Sequence, residues 1–206
     1  MNEKNSGKVF AHAYLDEAKS IIDLLDRSVI EKMTRLLLEL RGRGGRLFLV
    51  GVGGGAGHAG HAVNDFRKLA GIETYSASDN VSELTARTND EGWDTTYSGW
   101  LQVSRICEKD MLFVFSVGGG NLEKNISSNI VRAVQQAKKV GAGVVGVVGR
   151  DGGYTASVAD ACVIIPTVNP EAVTPHTESF QAVIWHLLVS DPRLQVISNK
   201  WESTQK

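Results

Sequence analysis

Apolar residues along this chain fall into two alternating periodicities. From Val9 to Leu25 they recur at Phe10, Ala13, Tyr14, Ile21, Leu24 and Leu25, then at Ile30, Met33, Leu37 and Leu40, the spacing of helix faces. The second series stops at RGRGG (41–45), where glycine readily ends a helix. No strand-like run flanks either series, so residues 1–42 read as an N-terminal helical arm with an apolar face to bury. Beyond it come strand-like runs: RLFLVGV (46–52), MLFVFSV (111–117), VVGVVG (144–149), ACVIIP (161–166) and a weaker IETYSA (72–77). Helical segments lie between, including 121–140 and 174–190. Unbroken Val/Ile/Leu/Phe runs suit strands covered on both faces. Strand, helix and strand in succession predict an α/β domain over 43–196, built on a doubly wound parallel sheet. Residues 197–206, ISNKWESTQK, follow as a C-terminal tail.

Composition then excludes several function classes. A length of 206 residues suits one domain with an extension. The formal net charge is −1 with no block of like charge, so nothing recommends nucleic acid or an anionic membrane as partner. No apolar run approaches the ~18 residues of a membrane span, and the first residues are too polar for a signal peptide. The two cysteines, Cys107 and Cys162, lack metal-type spacing; Cys162 sits in an apolar run and reads as a buried small hydrophobe. A reducing, cytoplasmic location is the expectation.

Glycine changes the picture. There are 22, above the usual ~7%, and they cluster directly after strand-like runs, in VGVGGGAGH, FSVGGGNLEKN and VVGRDGGYTA. In an open parallel sheet ligands bind outside the carboxyl ends of the strands. Glycine lets backbone approach a ligand closely, and a following helix N-terminus offers unpaired N–H groups to an anion. Two triple-glycine turns therefore predict a phosphate or similar anion. The dinucleotide fingerprint is matched only by glycines being everywhere, without a convincing acid about 20 residues on.

Two further groupings carry candidate chemistry. His58 and His61 are three residues apart and His61 and Asp65 four, so His61 shares a helix face with each. Glu178 and His186, eight apart, project to one side of another helix. Imidazole and carboxylate suit Zn²⁺ or a similar divalent ion, although isolated pairs of this kind are ordinary surface features.

Taken together, the strand–glycine turn–helix of 46–69, the FSVGGGN turn, GRDGG (149–153) and the final helix resemble the sugar isomerase (SIS) domain family, and more narrowly its phosphoheptose isomerases. The resemblance covers essentially the whole chain. It implies a five-stranded parallel sheet of flavodoxin-like order between helices, assembly as a homotetramer, and active sites at subunit contacts. It also implies a divalent metal, Zn²⁺, held by His61, Asp65, Glu178 and His186, with Asp65 and His186 as the proton-transfer residues. Gly53, Gly54 and Gly55 would form the first substrate turn; Ser116, Gly118, Gly119, Gly120, Asn121 and Lys124 would bind the sugar phosphate, and Asp90 of RTND the sugar. The reaction implied interconverts sedoheptulose 7-phosphate and D-glycero-D-manno-heptose 7-phosphate through a metal-assisted enediol.

The chain departs from the family pattern in instructive ways. Gly55 replaces the serine of the first turn and Val52 its asparagine. The second turn keeps one hydroxyl, Ser116, where a serine/threonine-rich sequence is usual, so backbone N–H groups, Asn121 and Lys124 would replace the lost donors. Asp65 stands for a glutamate, retracting the carboxylate by on the order of 1 Å, a displacement that can cost ~10²-fold in an oriented site. Pro175 leaves the aspartate before the last helix without a counterpart. His58 lies outside the matched set and reads as an ordinary helix-start histidine. Two alternatives share the fold. One is a non-catalytic sugar-phosphate- or protein-binding member of the replication-initiator-associating type. The other is an amino-sugar-phosphate isomerase or deaminase.

Overall fold

The computed structural model describes residues 7–197. Its order is α1 (Gly7–Leu24), α2 (Arg27–Gly42), β1 (Leu47–Gly51), α3 (Gly54–Lys68), β2 (Thr74–Ser76), α4 (Val81–Glu91), α5 (Thr96–Val103), β3 (Met111–Ser116), α6 (Ser128–Lys139), β4 (Gly143–Val148), α7 (Gly153–Val158), β5 (Ala161–Ile164) and α8 (Val173–Ser190). The five strands form one sheet in the order β2-β1-β3-β4-β5, and every pairing is parallel. This is the doubly wound arrangement, with its switch point between β1 and β3. The tail beyond Ile197 lies outside the described residues. Among those described, no helix is long and apolar enough to cross a membrane.

Alternate residues of each strand point to opposite faces, and the chain has filled both with apolar side chains. Leu47, Leu49, Phe113, Phe115, Val145 and Val147 face one layer, with Phe66 of α3 and Ile184, Trp185 and Leu188 of α8. Phe48, Val50, Leu112, Val114 and Val144 face the other, with Tyr97 and Leu101 of α5 and Ile130, Val134 and Ala137 of α6. At the amino edge of the sheet, buried Asp110 accepts from the backbone and guanidinium of Arg46 at 2.7–3.2 Å, tying β1 to β3. Cys162 is half-buried rather than the fully buried small hydrophobe expected, and desolvation still pushes its thiol up to about 12.

Two expectations change. The N-terminal helices do not act as a matched pair: Ile30, Met33, Leu37 and Leu40 of α2 are buried in the same layer as α3 and α8. At about 1.5–3 kcal/mol for each large side chain, α2 is an integral part of the core. Of the two helices α1 is the one that leaves apolar surface outside, with Phe10 68% and Leu24 63% exposed, although its Ile21 is buried in the same core. Second, the helix expected over 121–140 begins at Ser128. Residues 121–126 instead close a small hairpin, with Asn121 and Ile126 exchanging backbone hydrogen bonds. The Asn121 side chain accepts from the Lys124 N–H, the local turn bond by which asparagine competes with helix.

Candidate active site

Helices α3 and α8 follow the sheet on the same side, and they lie side by side, parallel and in register. Gly54 meets the Glu178 carboxylate, the His58 ring meets Gln181, and Asp65 meets Trp185. The pairs are spaced by about one helical turn or two, so each contact stands on the one before it.

At the far end of this seam His61, Asp65 and His186 bring three ligand atoms within 4.8 Å of one another. Both imidazole Nε2 atoms approach the same oxygen, Asp65 Oδ2, at 3.6 Å from His61 and 3.5 Å from His186. Tetrahedral ligands each about 2.1 Å from a zinc ion are about 3.4 Å apart, so the spacing suits one divalent ion. The orientation of the groups fits as well. His186 Nδ1 donates to the Ala182 carbonyl at 2.8 Å, which leaves the Nε2 lone pair toward Asp65. Asp65 is 8% exposed; its Oδ2 accepts from the Trp185 indole N–H at 3.1 Å and its Oδ1 from Asn64 at 3.0 Å. The two histidines are about half exposed, so three protein ligands face an open side, the arrangement a catalytic ion requires.

Glu178 does not join this group, a correction to the expected four-ligand set. Eight residues return a helix to the same side but advance it about 12 Å along its axis, whereas the four between His61 and Asp65 make neighbours. The Glu178 carboxylate lies instead over the first glycine turn, where a Cβ on Gly54 would collide with it. Gly53, the N-cap of α3, adopts φ +58°, a conformation that suits glycine. An acid thus already covers the positive end of α3, and the turn Gly53–Gly54–Gly55 is not an open anion seat.

The second and third glycine turns pack on each other. Gly119 has φ +67°, and a Cβ there would collide with the Gly152 carbonyl; one on Gly153 would collide with the Gly118 and Gly120 carbonyls. The Gly119 N–H donates to Ser116 Oγ at 3.0 Å. Both are therefore committed internally, and Ser116 is buried. Beside them opens a cleft of about 510 Å³, lined among others by Gly118, Gly120, Asn121, Lys124 and Arg150. Among the described residues, neither Lys124 nor Arg150 has a carboxylate partner within 4 Å, so two cations face this cleft without one.

Asp90 lies exposed near the end of α4, its carboxylate accepting from Asn89. The neighbouring Asp94 instead reaches the start of α6, bonding Ser128 and Arg132. Three residues escaped the sequence reading. Trp185 and Gln181 lie in the apolar final helix and are buried, with only the three-residue spacing of Gln181 from Glu178 as a hint; Arg150 stands inside the GRDGG turn. None is marked by composition, because each acquires its role from a neighbour on another element.

With this geometry in hand, the chain can be set beside known proteins. A model described as SIS domain matches residues 13–149, more than half of the chain. The phosphoheptose isomerase of Helicobacter hepaticus is 30% identical over 183 residues, covering 86% of this chain and 86% of that protein. That of Aneurinibacillus thermoaerophilus is 29% identical, with the same coverage of both. The lincomycin biosynthesis protein LmbN of Streptomyces lincolnensis is 34% identical over 75% of this chain, which spans 58% of that protein's length. The fold matches a phosphoheptose isomerase structure from Neisseria gonorrhoeae with a TM-score of 0.77, at 22% identity, covering 89% of this chain and 98% of that one. The chain belongs to the SIS domain family. Within that family it is of the phosphoheptose isomerase type.

Proposed function

We propose that this isomerase interconverts sedoheptulose 7-phosphate and D-glycero-D-manno-heptose 7-phosphate by proton transfer through an enediol. The observation that carries the reading is the convergence of the His61, Asp65 and His186 ligand atoms within 4.8 Å. A domain that merely bound a sugar phosphate would have little use for that convergence. Aldose–ketose isomerisation moves one hydrogen between adjacent carbons and one proton between their oxygens. A divalent ion such as Zn²⁺, held by His61, Asp65 and His186, would polarise the carbonyl and stabilise negative charge developing on its oxygen.

The chain's own residues supply the rest. In this reading Asp65, braced by Trp185 and Asn64, takes the proton from the carbon beside the carbonyl and returns it to the next, while His186, fixed through Ala182, keeps its Nε2 on the ion. General acid–base help of this kind is worth ~10²–10⁴ in rate. The sugar phosphate is held in the 510 Å³ cleft by Lys124 and Arg150 with backbone N–H groups of Gly118 and Gly120. The active unit in this reading is a homo-oligomer, a tetramer by family resemblance. Exposed Val183 and Leu187 beside His186, and the bare apolar face of α1, give a second copy something to cover.

The test is NMR of purified protein with sedoheptulose 7-phosphate in D₂O, with and without added zinc. Conversion with deuterium entering at the carbon beside the carbonyl is expected. Absence of conversion in both conditions would overturn the reading in favour of a binding role.

A further inference from the structure

We propose that His58 is a further catalytic residue, whose Nε2 serves the oxygen atoms of the substrate while Asp65 serves its carbons. The inference rests on the isomerase reading above but on different residues. His58 lies on α3 one turn before His61, between the glycine turn and the metal-ligand group. Its ring is partly exposed and wedged against Trp185 and the edge of Phe115, with centroids 5.1 and 6.4 Å away.

The hydrogen-bond chain behind it fixes its tautomer by elimination. Gln181 is fully buried. Its amide nitrogen donates to the Val147 carbonyl at 3.2 Å, and a carbonyl can only accept. Gln181 must therefore turn its amide oxygen to His58, 3.0 Å from Nδ1, so the proton on that bond belongs to His58. A neutral ring that carries its proton on Nδ1 presents a bare lone pair at Nε2. In this assignment the Nε2 edge, away from Gln181, is the one that meets the substrate. Burying an amide to hold an imidazole makes little sense if His58 only fills space; an apolar pair would do that without the desolvation cost of two polar groups.

The placement solves a problem the isomerisation poses. Asp65 Oδ2 already faces two imidazoles and an indole N–H, so the carboxylate has only Oδ1 for a proton and can serve the carbons alone. The hydroxyl proton must travel separately. In the aldose-to-ketose direction Asp65 removes the proton from C2. His58 Nε2 accepts the O2 hydroxyl proton and delivers it to O1, and the proton on Asp65 passes to C1. The O2–H and C2–H bonds break, O1–H and C1–H form, the carbonyl moves from C1 to C2, and both residues end as they began. No oxidant or other co-reactant is needed.

The test uses the full-length zinc-loaded protein. His58→Phe, which keeps a ring of similar size, should lower kcat ~10²-fold or more. KM should change by less than about threefold and zinc content not at all. His58→Ala should be partly rescued by added imidazole, which a packing role would not allow. Nitrogen-15 NMR of the wild type at pH 8 should find His58 protonated at Nδ1, a preference lost in Gln181→Leu. An active wild type beside an equally active His58→Phe overturns this inference and leaves the isomerase reading standing; an inactive wild type overturns both. A His58→Ala enzyme that imidazole does not rescue, or a wild-type ring protonated at Nε2 alone, overturns the role of His58 as well.

Discussion

Replacing Trp185 by phenylalanine probes the support of the metal-ligand group. Trp185 is 1% exposed and stands in the core layer between α3, α8 and the sheet. Its indole N–H reaches Asp65 Oδ2, the same oxygen that faces both histidines. Phenylalanine keeps an aromatic ring but deletes that donor. A hydrogen bond to a charged group is worth about 1.5–3 kcal/mol, and the smaller ring leaves a void costing about 1–2 kcal/mol more. The loss of about 3–5 kcal/mol lowers Tm by roughly 8–15 °C for a domain of this size. Two effects then oppose each other at the ion. The freed oxygen gains a lone pair, but the carboxylate loses the contact that fixes its rotation. Deleting an outer partner of a metal ligand usually costs 10–100-fold in affinity, so orientation wins. Competition titration against a chelator should show zinc bound about 10–100-fold more weakly by Trp185→Phe, while His61→Ala loses the site. Zinc held by Trp185→Phe as tightly as by wild type would refute the argument and make the indole a competitor of the ion.

Other perturbations separate the remaining parts. Glu178→Gln should leave zinc affinity within about threefold of wild type by the same titration, since its carboxylate lies over Gly54; a loss matching His61→Ala would restore the four-ligand set. Lys124→Ala and Arg150→Ala should each raise KM for the sugar phosphate about tenfold, the ~1.4 kcal/mol of one charge near a phosphate at a wet surface, with kcat little changed in steady-state assays. At Asp110 burial raises the pKa, but the hydrogen bonds from Arg46 outweigh it and hold the carboxyl below its ordinary value. Its contribution is present above the unfolded value near ~3.9 and is lost as pH falls through the lower folded one. Asp110→Asn should therefore cost on the order of 2–3 kcal/mol at pH 7, and thermal melts should find the gap to wild type narrowing below about pH 4.

The sheet was legible because its strands are apolar on both faces, a signal that needs no partner. Even IETYSA, weak by composition, supplies β2, since Thr74 and Ser76 turn inward while Tyr75 stays half out. The place of α2 was not legible. Ile30, Met33, Leu37 and Leu40 announce a buried face but not what buries it, and β5, their cover, comes more than a hundred residues later. The start of α6 was misplaced because NLEKNISS carries ordinary helix formers; the turn is made by local side-chain bonding and by left-handed Asn125 and Ser127. At the site, His61 and Asp65 could be read together because four residues fix their distance. Glu178 and His186 could not, since eight residues fix only their side. Gly119 was a fair candidate for a ligand turn, but its glycine answers to the Gly152 carbonyl.

The separation of cleft and metal-ligand group bears on the last prediction. Val173 lines the cleft and His186 belongs to the ligand group; the thirteen helical steps from one to the other along α8 span about 20 Å. An extended seven-carbon sugar phosphate is only about 10 Å long at ordinary bond lengths. In the proposed reading, a phosphate held at the Val173 end of the cleft and proton transfer at the ligand group of the same chain would be too far apart for one substrate molecule. The same end of α8 exposes Val183 and Leu187, surface that a second copy would cover. A composite site, with the cleft of one subunit against the ligand group of its partner, answers both observations, and closed symmetric assembly would repeat it. It predicts complementation. A Lys124→Ala/Arg150→Ala chain and a His61→Ala chain, each impaired alone, should regain activity when co-expressed. Random pairing then leaves about one site in four with both parts intact. Sedimentation should find no stable active monomer at micromolar concentration. If co-expression restores nothing while both chains assemble, the site belongs to a single chain, and the substrate must reach the ligand group by another route.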